Sequence, residues 1–204
     1  MAICIAYRGT LCDPARVAEL VTDVRAFAEL VGWRCKTMIE LVAAGVVSVA
    51  GLDGVTMYPP AACEPIHFHV DREGTFVNHF YYALYANPQK VAMLRAATGD
   101  AATLTRACWT QTQFAGAEVH AAVCLVLRHV KDRYAPDLDV EDDSGYFADQ
   151  DYAKLASQLA RGDAPTSLTS RAARAAYVST GAMTIDSFLD RVSDALVAAK
   201  TKQP

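Results

Sequence analysis

The sequence lacks the patterns that indicate several common classes of function. Its six cysteines include no C-x-x-C pair, which disfavours a cysteine-bound zinc ion and a thioredoxin-type redox site. Lysine and arginine number 19 against 23 acidic residues, which gives a net charge of −4. A general electrostatic attraction to nucleic acid or anionic lipid needs clustered basic residues. We therefore expect neither nucleic acid nor a membrane as a partner.

Long apolar segments are also missing. The longest one, from Leu41 to Leu52, is too short to cross a bilayer and contains Gly45 and Ser48. The first residues, Met1 to Arg8, show no basic region followed by an apolar segment, so they do not resemble a signal peptide. A cytoplasmic protein with reduced thiols is the resulting expectation.

Two amphipathic helices give the clearest structural signal. Asp13 can cap the first helix, Pro14 suits its first position and Gly32 suits its end. The second is expected from Gly116 to Tyr134. Apolar residues recur at intervals of three and four in both, which is typical of a helix with one buried face. The expected buried positions are Val17, Leu20, Val21, Val24, Phe27, Ala28 and Val31 in the first helix, and Val119, Val123, Val126, Leu127 and Val130 in the second.

Short apolar or alternating segments predict strands at residues 3–7, 33–41, 46–50, 55–58, 66–70 and 75–80. Leu138 and Val140 alternate with acidic neighbours, as in an edge strand with one solvated face. The sequence thus predicts an α+β fold, a two-layer sandwich of a mainly antiparallel sheet with two long helices. Three further helical patterns follow. We expect an α+β domain over residues 1–148 and a helical C-terminal extension over 149–204 that packs on it.

A histidine-rich hairpin is the first candidate site. His67 and His69 are two residues apart, so on a strand they project from the same face. A four-residue loop, Asp71 to Gly74, would place His79 opposite His67, with the core residues on the other face. Three imidazoles with an open fourth position form a known zinc arrangement, which a metal-dependent hydrolase can use. The alternative is a solvated sheet face on which histidine is simply tolerated.

A cysteine nucleophile is the second candidate. Cys108 lies upstream of a helix N-terminus and His120 lies near the start of that helix. A thiolate is favoured in such a position and beside an imidazolium, as a cysteine-dependent hydrolase requires. The alternative is that Cys108 is a small buried hydrophobe.

The acidic run from Asp137 to Asp143 is the third. As an EF-hand loop it would place Ser144 where glycine is required and Gln150 where glutamate is required, so calcium binding is disfavoured. A solvated, charged strand edge is the preferred interpretation.

Three segments resemble a pattern found in a group of small uncharacterised bacterial proteins. The segments are Cys63-Glu64-Pro65, Trp109 to Gly116 followed by His120, and Asp142 to Phe147. The group's pattern is C-E-P before a strand, W-x-K-T-Q-F/Y-x-G before a helix with a histidine, and D-E-x-G-Y-W after the next strand. Here Gln111 replaces the lysine and Phe147 the tryptophan. The resemblance covers about residues 1–150 and implies fold and boundaries.

The resemblance also directs attention to Gln113, His120 and Tyr146 as one clustered polar surface, to which the binding hypothesis adds Thr112. The favoured hypothesis is a non-catalytic bacterial protein that binds a protein partner or small ligand there, in an immunity-type or accessory role. The competing hypotheses are a metal-dependent hydrolase using His67, His69 and His79, and a cysteine-dependent hydrolase using Cys108 and His120. No cofactor is assigned from the sequence.

Overall fold

The computed structural model describes residues 3–46, 51–60, 63–80, 82 and 105–161. The α+β prediction is confirmed: the described part of the chain contains two three-stranded antiparallel sheets and several helices. The elements are β1 (Cys4–Arg8), α1 (Val17–Leu30), β2 (Arg34–Thr37), α2 (Met38–Ala43), β3 (Asp53–Tyr58), β4 (Ile66–Val70), β5 (Cys108–Gln111), α3 (Ala117–Arg133), β6 (Asp139–Asp142), α4 (Tyr146–Asp149) and α5 (Tyr152–Arg161).

The strands form two sheets rather than the one sheet that was expected. One has the order β5-β1-β6 and the other the order β2-β3-β4. Both sheets and both long helices contribute to one hydrophobic core, through residues such as Ile5 of β1, Leu20 of α1, Phe68 of β4 and Leu127 of α3. The Tyr7 hydroxyl links the sheets, since it accepts a hydrogen bond from the His67 backbone N–H at 3.1 Å and donates to the His67 carbonyl at 3.0 Å.

The first long helix follows its sequence signals. The Asp13 side chain accepts a hydrogen bond from the Ala15 N–H, and a 3₁₀ turn over Pro14–Arg16 leads into α1. Leu20, Val24 and Ala28 are buried on one face. Gly32 has φ +73°, a conformation that glycine adopts without strain, and it ends the helix.

The expected strand at residues 33–41 is wrong in its second half. β2 ends at Thr37, and α2 begins at Met38. Thr37 and Glu40 form a capping box: the Thr37 hydroxyl accepts from the Glu40 N–H at 3.3 Å, and the Thr37 N–H donates to the Glu40 carboxylate at 2.7 Å. These bonds satisfy backbone groups at the helix start and outweigh the strand preference of the apolar residues. The strand expected at 46–50 lies outside the described residues apart from Val46.

The predicted hairpin register is correct near the turn. Asp71 donates its N–H to the Thr75 carbonyl, Val70 pairs with Phe76, and the Val77 N–H donates to the His69 carbonyl. The second strand then stops early, which corrects the prediction for 75–80. The Asn78 side chain accepts from the Phe80 N–H, and the Asn78 carbonyl accepts from the Tyr82 N–H. Asn78 therefore starts a helical turn, with His79 as its next residue.

The C-terminal part of the described chain follows the expected pattern. In α3 the stripe Val123, Val126, Leu127 and Val130 is buried, with Val119 half-buried. Leu155 of α5 is buried where α5 packs against α3. The two later helices expected near 168–178 and 185–196 lie outside the described residues, and the boundary at 148 stays a prediction. Within the part of the chain that the structure describes, no helix is both long and apolar enough to cross a membrane.

Candidate metal centre

The two faces of the β3-β4 pair have different chemistry. Antiparallel pairing sets Val55 opposite Phe68 and Met57 opposite Ile66, and all four side chains are buried in the hydrophobic core. The intervening residues point the other way. There Thr56 lies opposite His67, and Gly54 lies opposite His69. A polar face is thus built directly behind an apolar one.

His67, His69 and His79 form one cluster on this polar face. Each offers a ligand nitrogen, and these atoms lie within 4.8 Å of one another. The ring of His79 is centred 4.7 Å from both other rings, which are 5.3 Å apart. The expected convergence is present, although His79 reaches the cluster from a helical turn instead of a strand.

The alternative of a solvated histidine face is wrong. The exposed fractions of His67, His69 and His79 are 8%, 0% and 2%. Burial raises the free energy of a charged imidazolium, and it lowers the pKa of His67 to about 4. Burial likewise holds the pKa of His69 and of His79 well below the ordinary value, with a smaller contribution from the neighbouring histidines. All three rings are therefore neutral near pH 7, which is the form that binds metal.

Thr56 is the hydrogen-bond partner of two of these rings. Its hydroxyl oxygen lies 3.1 Å from Nδ1 of His67 and 2.8 Å from Nε2 of His69. The other ring nitrogen of His69, Nδ1, is buried and has no hydrogen-bond partner among the described residues, and the same is true of Nδ1 of His79. A buried polar atom without a partner costs about 1–3 kcal/mol, so two of them in one cluster need an explanation.

A second buried cluster surrounds His120. Its Nδ1 lies 2.7 Å from the Thr112 hydroxyl, while its Nε2 lies 3.2 Å from Oδ2 of Asp142 and 3.0 Å from the Ser144 hydroxyl. Each of these partners has a group that can donate to or accept from the ring nitrogen that it faces. In contrast to the first cluster, both nitrogens of His120 have partners.

The proposed binding surface is corrected by this arrangement. Thr112 and His120 are both 0% exposed, so neither can contact a partner at the molecular surface. Tyr146 is half-buried, and its ring centre is 6.1 Å from that of His120. Gln113 is half-buried too, but its Oε1 atom finds no hydrogen-bond partner in the described part of the chain. The structure thus places Thr112 and His120 inside the protein, with the half-buried Tyr146 beside them.

Asp142 was not predicted as part of this cluster, because the acidic run that contains it was expected to form a solvated strand edge. Asp142 accepts hydrogen bonds from the Phe147 N–H at 2.8 Å and from the Ser144 hydroxyl, in addition to its contact with His120. Burial raises its pKa, but the bonds from His120 and from backbone N–H groups outweigh that effect and lower the pKa below the ordinary value. The alternation of the strand could have indicated this position, because Asp142 lies on the same face as the apolar residues Leu138 and Val140.

The His120 cluster is also a possible metal site in geometric terms. His120, Cys124 and Asp142 offer ligand atoms within 4.8 Å of one another. However, burial and the nearby Asp142 carboxylate raise the pKa of Cys124, which opposes the thiolate that a metal requires. With the His120 nitrogens already bonded, we interpret this cluster as a structural network between α3 and the β6-α4 segment.

Cys108 does not have the environment of a nucleophile. It is fully buried in the hydrophobic core, and burial raises its pKa to about 12. The bonded partners of His120 are Thr112, Asp142 and Ser144 instead. The thiolate expectation behind the cysteine-dependent hydrolase is therefore wrong.

Hydrogen bonds join two of the three segments that carry the resemblance, the one at Glu64 and the one that contains Gln111. The Glu64 N–H donates to the Gln111 carbonyl at 3.0 Å, and the Gln111 N–H donates to the Glu64 carboxylate at the same distance. The Thr110 hydroxyl donates to the Glu64 carbonyl. These contacts give Glu64 and its neighbours a structural role at the outer edge of β5.

Comparison with known proteins adds no further constraint, because no protein-family model, no curated protein and no solved structure matches the chain.

Proposed function

We propose that this protein binds one divalent transition-metal ion of the zinc type through His67, His69 and His79. The observation that carries the proposal is a pair of buried nitrogens in the three-histidine cluster, Nδ1 of His69 and Nδ1 of His79, for which the described residues provide no hydrogen-bond partner. A metal ion would accept electron pairs from such atoms and remove the cost of burying them alone.

The electrostatics of the cluster favour binding of a metal ion over protonation of the histidine rings. Protonation would place up to three positive charges on rings that burial keeps neutral. Imidazole nitrogen is a good ligand for zinc, copper, nickel and iron, whereas magnesium and calcium prefer oxygen. Among the residues that the structure describes, no carboxylate belongs to this cluster, which favours the transition-metal class.

The burial of the three histidines favours binding an ion over hydrolysing a substrate. A hydrolytic zinc keeps an open position that substrate and water can reach. Here the three rings are almost fully enclosed. We accordingly favour metal holding, with a structural or storage role, over a hydrolase. A protein partner and a cytoplasmic location stay predictions, as does membership of the bacterial group.

Replacing His69 by glutamine is expected to lower zinc affinity at least about 100-fold, because one of three protein ligands is lost. The measurement is a competition titration with a zinc-binding dye, using chelator-treated protein that carries no histidine tag. Wild-type protein should bind one zinc ion per chain.

His129→Gln is the matched control, since the His129 side chain is 43% exposed and is paired with Asp23 away from the cluster. This variant should keep wild-type zinc affinity. Equal affinity of His69→Gln and wild type would contradict the proposal, as would a loss of binding in His129→Gln alone.

A further inference from the structure

The hydroxyl of Thr56 lies within hydrogen-bond distance of one ring nitrogen of His67 and one of His69. This inference rests on the proposed metal binding and assigns the coordinating atoms. A threonine hydroxyl has one hydrogen to donate and two lone pairs that accept. It faces Nδ1 of His67 and Nε2 of His69, the two nitrogens that lie within hydrogen-bond distance of it. Thr56 itself is 1% exposed, so water does not compete freely for these contacts.

Counting hydrogens leaves two arrangements for the neutral rings. In one, Thr56 donates to one ring and accepts from the other, so one of the two outward nitrogens carries a hydrogen and cannot bind metal. In the other, Thr56 accepts from both rings, and both outward nitrogens, Nε2 of His67 and Nδ1 of His69, present lone pairs. The second arrangement provides two ligands at once.

We propose that Thr56 is a positioning residue that fixes the metal ligands as Nε2 of His67 and Nδ1 of His69 by accepting a hydrogen bond from each ring. Partners of this kind orient ligating histidines and set their tautomers. Nδ1 of His69 is the atom that has no partner among the described residues, which agrees with this assignment.

The test is nitrogen-15 NMR of the histidine rings in uniformly labelled, zinc-loaded wild-type protein. We expect His67 to carry hydrogen on Nδ1 and zinc on Nε2, and His69 to carry hydrogen on Nε2 and zinc on Nδ1. Zinc bound through any other combination of nitrogens would overturn this inference and leave the proposed function standing. Absence of zinc binding would overturn both.

A pair of substitutions adds an independent readout. Thr56→Val keeps the shape and removes the hydroxyl, and we expect zinc affinity to fall by about 10–100-fold. Thr56→Ser keeps the hydroxyl and should preserve the tautomers seen in wild type. Unchanged affinity and tautomers in Thr56→Val would overturn the inference. If Thr56→Val fails to fold, the nitrogen-15 spectra of the wild type and of Thr56→Ser still test which ring nitrogens bind zinc.

Discussion

Replacing Gly54 by alanine is expected to destabilise the protein by about 3–5 kcal/mol and to abolish zinc binding. Gly54 has φ +124°, and an added Cβ would lie 2.0 Å from the Phe68 carbonyl oxygen, which belongs to the backbone of β4. Because neither strand can accommodate that contact, β3 and β4 must separate. Thr56, His67 and His69 lie on this strand pair, so the metal centre should be lost with it.

Gly32→Ala is the control for this prediction. Gly32 also has a positive φ, +73°, but an added Cβ would meet no atom within 4 Å. Its effect should be limited to backbone strain of about 1–2 kcal/mol, with normal zinc binding. Urea unfolding and zinc titration of both variants make the comparison. Similar losses in the two variants would show that close approach of the strands at Gly54 has no special importance.

The metal-free protein is expected to lose about 5 kcal/mol of stability between pH 7 and pH 5. Unfolding exposes His67, His69 and His79, whose pKa then returns to about 6.5. In the folded state burial keeps the pKa of His67 at about 4 and the other two well below 6.5. The unfolded chain therefore binds more protons in this range, and stability falls as the pH falls.

The size of this effect follows from the number of histidines. Below pH 6.5, each histidine lowers the free energy of unfolding by about 1.4 kcal/mol per pH unit, until the pH reaches its pKa in the folded state. Carboxyl groups with a lowered pKa, such as Asp142, lose their contribution only below about pH 4, outside this window. Urea unfolding of chelator-treated protein at several pH values gives the slope. His69→Gln should reduce the loss by about 2 kcal/mol, whereas stability that is constant from pH 7 to pH 5 would contradict the buried neutral cluster.

Much of the fold could be predicted because its signals are local. The Asp13 cap, Gly32 and the apolar stripe of α1 all act within one helix, and the structure contains each of them. The convergence of the histidines was predictable for a similar reason. The turn at Asp71 to Gly74 fixes the register of the residues next to it, and the alternation of side chains along β4 places His67 and His69 on one face.

Other features depend on long-range packing and were not predictable. Nothing in the segments around His67 indicates that both faces of β4 are covered, yet every residue of this strand is buried. The contact of Asp142 with His120 joins two side chains that are 22 positions apart in the sequence. In contrast, the Thr37–Glu40 capping box was visible in the sequence, and the strand-like residues around it concealed it.

The buried network around His120 gives the fold a second polar constraint. Each of its groups has a partner, so the network is stable only when α3, β6 and α4 are in register. The histidine cluster differs in this respect, because two of its ring nitrogens find no hydrogen-bond partner within the described part of the chain. That difference is the reason for assigning metal binding to one cluster and a structural role to the other.

The metal content of the untagged protein tests the central claim most directly. Elemental analysis after equilibration with zinc and removal of the excess should give one zinc ion per wild-type chain, and none in a variant with glutamine at positions 67, 69 and 79. Clearly substoichiometric zinc in folded wild-type protein, or equal zinc in the triple variant, would contradict the account.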